Sequence, residues 1–253
     1  MKRLLKKITS DEQYAKMQGV YTRVMMLMLT FRRRLYESFG SFKYSKTALN
    51  DLDDKLASVL NFKDGVFIEA GANDGVSQSN TYYLEKARGW RGVLVEPVPR
   101  LFEKCKNNRK KSVVYNCALV SPEEEGHIVN ICESGDRGLL SKISENNNRL
   151  NGVVTAVCGR TLTSVLSEVR LERIDFFSLD VEGYELSVLK GLDFSKFTPR
   201  FILVETDQVE NVDQCLRLDY DRIAQLTFHD YMYQLKAGHC AFSRSRLPVS
   251  QPV

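Results

Sequence analysis

Between residues 65 and 205, short apolar runs alternate with longer mixed stretches. Val66-Phe67-Ile68, Gly92-Val93-Leu94-Val95, Val113-Val114-Tyr115-Asn116-Cys117-Ala118, Ile174-Asp175-Phe176-Phe177-Ser178-Leu179 and Phe201-Ile202-Leu203-Val204 read as five strands. Most of these runs lack a polar face, which predicts strands buried on both sides, as in a parallel sheet. Residues 79–88, 101–105 and 184–190 read as the helices between them. Right-handed crossovers then place helices on both faces of the sheet.

Residues 1–40 contain no proline and only Gly19 and Gly40, and Val20, Val24, Leu27, Met28 and Phe31 recur at helical spacing. Residues 49–60 predict a second helix. The stretch 121–157 breaks the rhythm with Glu123-Glu124-Glu125-Gly126, Ser134-Gly135-Asp136-Arg137-Gly138 and Asn146-Asn147-Asn148. It reads as strands and loops, the kind of excursion that walls a site. Near the end, Tyr231–Leu235 and Ala241-Phe242-Ser243 around Gly238 read as an antiparallel hairpin.

Composition narrows the class. A chain of 253 residues with 43% apolar and 27% charged residues suits a globular α/β protein and excludes a disordered tail. No apolar run approaches the 18 or so residues of a membrane span; Val24 to Leu29 runs into Arg32-Arg33-Arg34. Residues 1–36 carry nine Lys and Arg against Asp11 and Glu12, a net +7, and the remaining 217 residues carry −3. The six cysteines, at 105, 117, 132, 158, 215 and 240, form no C-x-x-C pair and read as reduced thiols. The expected organisation is a basic helical extension over residues 1–45 and one α/β domain over 46–253, cytoplasmic, with no secretory leader.

The chemistry concentrates where strands end. In Glu69-Ala70-Gly71-Ala72-Asn73-Asp74-Gly75 a strand closes on an acid and a glycine turn leads toward a helix. The glycine spacing lacks the continuation of a dinucleotide fingerprint. Glu96 stands 25 residues after Gly71 at the end of the second strand, with Pro97 directly behind it, placed to hold ribose hydroxyls. A pyrophosphate needs a turn free of competing anions, and Glu69 and Asp74 argue against one. Carboxylates suit instead an adenosyl ligand bearing a sulfonium cation, S-adenosylmethionine rather than NAD. Asp180 in Leu179-Asp180-Val181-Glu182-Gly183-Tyr184-Glu185 and Glu205 end two further strands at the same edge. Asp180 also reads as a helix N-cap and Glu185 as a partner of the helix dipole.

These residues resemble the FkbM-type S-adenosylmethionine-dependent methyltransferases. The resemblance runs over residues 60–207: Phe67 to Thr81, then Gly89-Trp90-Arg91-Gly92 to Glu96-Pro97, Asn116-Cys117-Ala118-Leu119, and Leu179 to Glu185. It implies a class I methyltransferase, Rossmann-like three-layer fold with a seven-stranded, mostly parallel sheet whose last strand is antiparallel. It implies that Glu69, Gly71, Asn73 and Gly75 line the methionine end and that Glu96 holds the ribose. Asn116, Cys117 and Ala118 would approach the adenine, and Ala72, Ser79, Asn80, Pro97 and Asp180 are further expected cofactor-binding residues. Members typically methylate hydroxyls of sugars, glycolipids or polyketides, leaving S-adenosylhomocysteine.

For such a hydroxyl the candidate general bases are Asp180, then Glu205, then His229. Asp180, Glu205 and Asp207 are also oxygen ligands of the type a divalent cation takes, but their spacing assigns no metal. The acceptor is expected to be a small molecule or glycan, with a surface polysaccharide sugar favoured. Residues 1–45 suit self-association or peripheral contact with an anionic membrane at its inner face; no nucleic-acid-reading motif is present. The competing readings are a non-catalytic adenosyl-ligand or partner-binding module on the same fold and an NAD-dependent oxidoreductase.

Overall fold

A computed structural model describes residues 11–134, 140–143 and 153–238. It divides into two compact units, residues 1–46 and 47–253. In the first, helix α1 (Asp11–Ser38) runs 28 residues and stops at Gly40, whose φ of +74° ends it in a left-handed turn. Tyr44 folds back edge-on to Tyr36, 4.8 Å between ring centroids, with the Arg32 guanidinium 4.0 Å from its ring centre. Val20, Val24, Leu27, Met28 and Phe31 are exposed. No described helix is long and apolar enough to cross a membrane.

The second unit opens with a 3₁₀ turn (Leu49–Asp51) and α2 (Leu52–Leu56). The helix expected over 49–60 is broken because Asn50 and Asp51 take positive φ, 53° and 56°. There follow β1 (Val66–Ala70), α3 (Tyr82–Arg88), β2 (Arg91–Val95), α4 (Pro99–Asn108), β3 (Val113–Tyr115) and β4 (Ala118–Leu119). Next come β5 (Ile128–Ser134), β6 (Leu140–Ile143), β7 (Val153–Arg160), α5 (Leu162–Ser167), β8 (Phe176–Leu179) and α6 (Glu185–Lys190). β9 (Phe201–Glu205), α7 (Val209–Leu216), β10 (Tyr220–Gln225) and β11 (Asp230–Leu235) complete the order.

Seven strands form the main sheet in the order β10-β11-β9-β8-β1-β2-β3. The central pairs are parallel, and β11, the last strand, is antiparallel to both of its neighbours. The parallel centre is what the apolar runs predict, and the seven strands with an antiparallel last one are what the resemblance implies. Ile68, Val93, Phe177 and Ile202 enter one core; Phe67, Leu94, Phe176 and Leu203 enter the other. Each is almost fully buried, worth about 1.5–3 kcal/mol per large apolar side chain. The period-two division between the cores explains why the runs read as apolar throughout.

One strand expectation is corrected. The strand at 113–118 breaks after Tyr115: Asn116 Nδ2 donates to the carbonyls of Glu96 and Pro97 at 2.9 and 2.8 Å, and the chain leaves the main sheet. β4 instead pairs parallel with β7, starting a second sheet β4-β7-β5-β6 from the excursion at 121–157. The last hairpin among the described residues turns at 226–229, and both edges of β11 are already paired, with β10 and β9; the expected second arm, Ala241-Phe242-Ser243, lies in 239–253, outside the described residues.

Candidate active site

Gly71 makes the first turn of the site. Its φ is +83°, and a Cβ placed on it would stand 1.8 Å from the main-chain oxygen of Asp180. Only glycine allows the strand-end loops after β1 and β8 to approach this closely. The loop then passes through Asn73, also at positive φ, whose N–H donates to Glu96 Oε2 at 2.7 Å. Val98 N–H donates to Glu96 Oε1 at 2.9 Å. Two backbone donors thus fix this buried carboxylate at the end of β2.

Asp74 turns inward upon the loop. Its Oδ1 accepts the N–H groups of Val76 and Ser77 at 2.9 and 2.7 Å, and its Oδ2 accepts the Ser77 hydroxyl. Backbone donors of the kind a pyrophosphate would use are therefore already occupied by a carboxylate, which weighs against NAD.

A cavity of about 300 Å³ lies at the carboxyl ends of the parallel strands. Gly71, Asn73, Glu96, Pro97, Cys117 and Ala118 line it on the β1–β2 side, with Ser79 and Asn80. Asp180, Glu205 and His229 line it on the β8–β9–β11 side. Ile131, from the second sheet, also forms part of the wall. The structure therefore brings together nine of the expected adenosyl-binding residues and all three candidate bases.

Glu69, Ala72, Gly75 and Asn116 are not on that wall. Glu69 points beneath the loop, where its carboxylate accepts Ser79 Oγ and Asn80 N, each at 3.0 Å, and Thr81 Oγ1 at 2.5 Å. The fully buried Arg109 completes the set, 3.3 Å from Glu69 and 3.0 Å from Glu85. Gly75 has its own reason: a Cβ there would meet Arg109 Cγ at 2.7 Å and Cys105 Sγ at 2.8 Å. Ala72 packs in the core beside Leu56 and Leu60. Asn116 shapes the β2 exit through its two hydrogen bonds rather than facing the cavity.

The opposite wall is strongly acidic. Asp180, Glu182, Glu205 and Asp230 line the cavity, and among the described residues no Lys or Arg does. Burial first, then the neighbouring carboxylates led by Glu205, hold the Asp180 carboxyl well above the usual carboxylate range. Its hydrogen bond runs to Glu205, which burial also raises and the nearby His229 opposes. His229 Nε2 lies 3.2 Å from Glu205 Oε1 and 3.6 Å from Asp230 Oδ2. Asp207 is exposed and apart from this cluster.

Asp230 is a cavity-lining acid that reading the strands in order misses. β11 runs antiparallel, so its first residue reaches the edge where the parallel strands end. The signal was the pair His229-Asp230 immediately before an antiparallel last strand. Glu185 is structural: its Oε1 accepts Gly183 N–H at 2.7 Å in the turn entering α6.

The wall fits an adenosyl ligand with a cationic amino-acid end. Asn80 donates Nδ2 to Ser178 Oγ at 3.0 Å, and its buried Oδ1 has no partner among the described residues, an acceptor open to an N–H donor. The Asp180–Glu205 pair offers negative charge, Glu96 a fixed carboxylate, and Cys117, Ala118, Leu119 and Ile131 an apolar surface for a flat base.

Known structures similar to this chain include a TehB-like SAM-dependent methyltransferase from Corynebacterium glutamicum, at 9% identity and TM-score 0.39. It is matched over 85% of this chain and 100% of that one. The precorrin-6y C5,15-methyltransferase from Geobacter metallireducens matches at 12% identity and TM-score 0.41, covering 73% and 87%. A Methanococcus jannaschii fibrillarin, a pre-rRNA processing protein, matches at 11% and 0.41, covering 73% and 74%. No curated protein sequence matches the chain. The model of the methyltransferase FkbM domain matches residues 69–236, well over half the chain, from the end of β1 through β11. With the strand order and the carboxylate-lined cavity, that match settles the family: the chain belongs to the FkbM-type S-adenosylmethionine-dependent methyltransferases.

Proposed function

We propose that the chain is an O-methyltransferase acting on a hydroxyl of a sugar, glycan, glycolipid or polyketide-type acceptor, a surface polysaccharide sugar being the favoured case. The observation that carries this reading is the Asp180–Glu205 carboxyl pair facing Gly71 and Glu96 across the same cavity. A hydroxyl is a poor nucleophile until a base takes its proton, and a carboxylate at a strand end is placed to do so.

When bound, S-adenosylmethionine supplies an electrophilic methyl group on a sulfonium cation. Glu96 would hold the ribose, and the backbone at Gly71 lets the ligand lie against the main chain. Asn80 Oδ1 and Asp180 would receive the cationic amino-acid end. The unprotonated member of the Asp180–Glu205 pair would accept the acceptor's proton, while the walls restrict water and orient the oxygen for in-line attack.

Residues 1–45 are proposed to make peripheral contact with an anionic membrane or to self-associate. The exposed apolar side chains of α1 beside Arg23 and Arg32–Arg34 support both. Flotation with anionic vesicles and sedimentation without them separate the two.

The test of function is calorimetric titration with S-adenosylhomocysteine and with NAD, followed by labelled methyl transfer to a panel of glycan and polyketide hydroxyls. Saturable S-adenosylhomocysteine binding, no NAD binding and a methoxy product support the proposal. Methylation confined to nitrogen or carbon acceptors overturns the O-methyl reading. No binding of either ligand by the folded protein returns the choice to a binding module.

A further inference from the structure

Glu205 at the end of β9, His229 in the hairpin turn and Asp230 opening β11 each offer one ligand atom within 4.8 Å of the others. His229 Nε2 lies 3.2 Å from Glu205 and 3.6 Å from Asp230. Neighbouring ligands about 2.1 Å from a common ion stand about 3 Å apart, so the His229–Glu205 separation matches a formed site, while the 3.6 Å to Asp230 is measured to Oδ2.

Asp230 supplies an independent observation. It is 1% exposed and lines the cavity, yet its Oδ1 has no hydrogen-bond partner among the described residues. A buried carboxylate oxygen left without donor or cation is unfavourable. Its other oxygen, Oδ2, accepts the Thr227 hydroxyl, and Thr227 Oγ1 in turn accepts Asp230 N–H at 3.1 Å. The carboxylate is thus oriented from behind, as metal-binding carboxylates commonly are. Glu182 and Asp180 add negative charge to the same cavity, with no Lys or Arg among the described lining residues.

We propose that Glu205, His229 and Asp230 form a binding site for a divalent first-row metal ion, with Mn²⁺ the best match to one imidazole and two carboxylates. Three protein ligands leave coordination positions open. The proposed role rests on the O-methyltransferase reading: the ion would take the acceptor oxygen as a ligand and lower its pKa, with Asp180 receiving the proton. The site itself stands on its own residues and is testable without methyl transfer.

The experiment is titration of the purified full chain with MnCl₂ alone, following the loss of the free Mn²⁺ electron paramagnetic resonance signal. One equivalent should bind with a dissociation constant on the order of 10 µM, and the bound ion should show nitrogen coupling from His229. His229→Ala and Asp230→Asn should each weaken binding at least about tenfold. Glu205→Gln provides a third variant should one of these fail to fold, as judged by circular dichroism. Asp207→Asn, exposed and outside the cluster, should bind as the parent does. No Mn²⁺ binding below about 1 mM, or binding that survives in all folded ligand variants, overturns the site. S-adenosylhomocysteine binding in excess chelator is measured separately, so loss of the metal proposal and loss of the adenosyl site are distinguishable.

Discussion

The main-chain oxygen of Asp180 occupies the place a side chain on Gly71 would need, 1.8 Å from an ideal Cβ. A single contact therefore joins the adenosyl side of the cavity to its acidic side. Gly71→Ala should destabilise the protein by more than about 3 kcal/mol, because the collision is with backbone on two central strands. Gly126→Ala is the control: φ is +81° but nothing lies within 4 Å, so about 1 kcal/mol is expected. Equal melting temperatures for the two variants would contradict the close approach.

Glu96 should contribute directly to affinity. Glu96→Gln keeps an acceptor but loses charge, and S-adenosylhomocysteine should bind about ten- to a hundredfold more weakly, the loss of one charge-assisted hydrogen bond. Parental affinity by calorimetry would remove Glu96 from the ribose.

Asp180→Asn should lower turnover by about 10²–10⁴-fold while S-adenosylhomocysteine affinity changes less than about tenfold. Single-turnover rates together with binding titrations check this. An unchanged rate eliminates Asp180 as the base.

Arg109→Met should be among the most damaging substitutions away from the cavity. It leaves Glu69 and Glu85 buried without their shared cation, which costs about 3–5 kcal/mol. Denaturant unfolding measures it. A loss below about 1 kcal/mol would show that the hydroxyl and amide donors around Glu69 suffice.

The thiols should separate by burial. Burial holds the Cys117 thiol up at about 12 and pushes Cys105 higher still, whereas Cys158 is exposed. At pH 8 only about one Cys117 in 10⁴ is a thiolate. Iodoacetamide followed by peptide mass spectrometry should find Cys158 modified and Cys117 and Cys105 untouched until the protein is denatured. Rapid native labelling of Cys117 would mean that its wall of the cavity opens.

Glu96, Asp180 and Glu205 were legible because each is the last residue of an apolar run or follows it directly, and parallel strands deliver such residues to one edge. Glu69 has the same sequence signature but the opposite fate. It lies on the Phe67 side of β1, and its partner Arg109 comes forty residues later, beyond what local pattern can reveal. Gly75 was read as a ligand cradle when it makes room for that same arginine. Asp230 required knowing that the last strand runs backward between β9 and β10, a fact of topology rather than of spacing.

That backward strand also sets the order in which the site can be assembled during synthesis. Residues through Ala118 contain eight of the nine cavity-lining adenosyl positions, whereas Asp230 follows more than a hundred residues later. At about 5–20 residues per second, that interval is roughly 6–22 s. Until residues 230–235 arrive, β9 presents an open, apolar sheet edge with no β11 to cover it, the type of edge that pairs with other chains. A nascent chain stalled before Leu235 is therefore exposed to aggregation, and its acidic wall is completed by the same short strand that closes this edge.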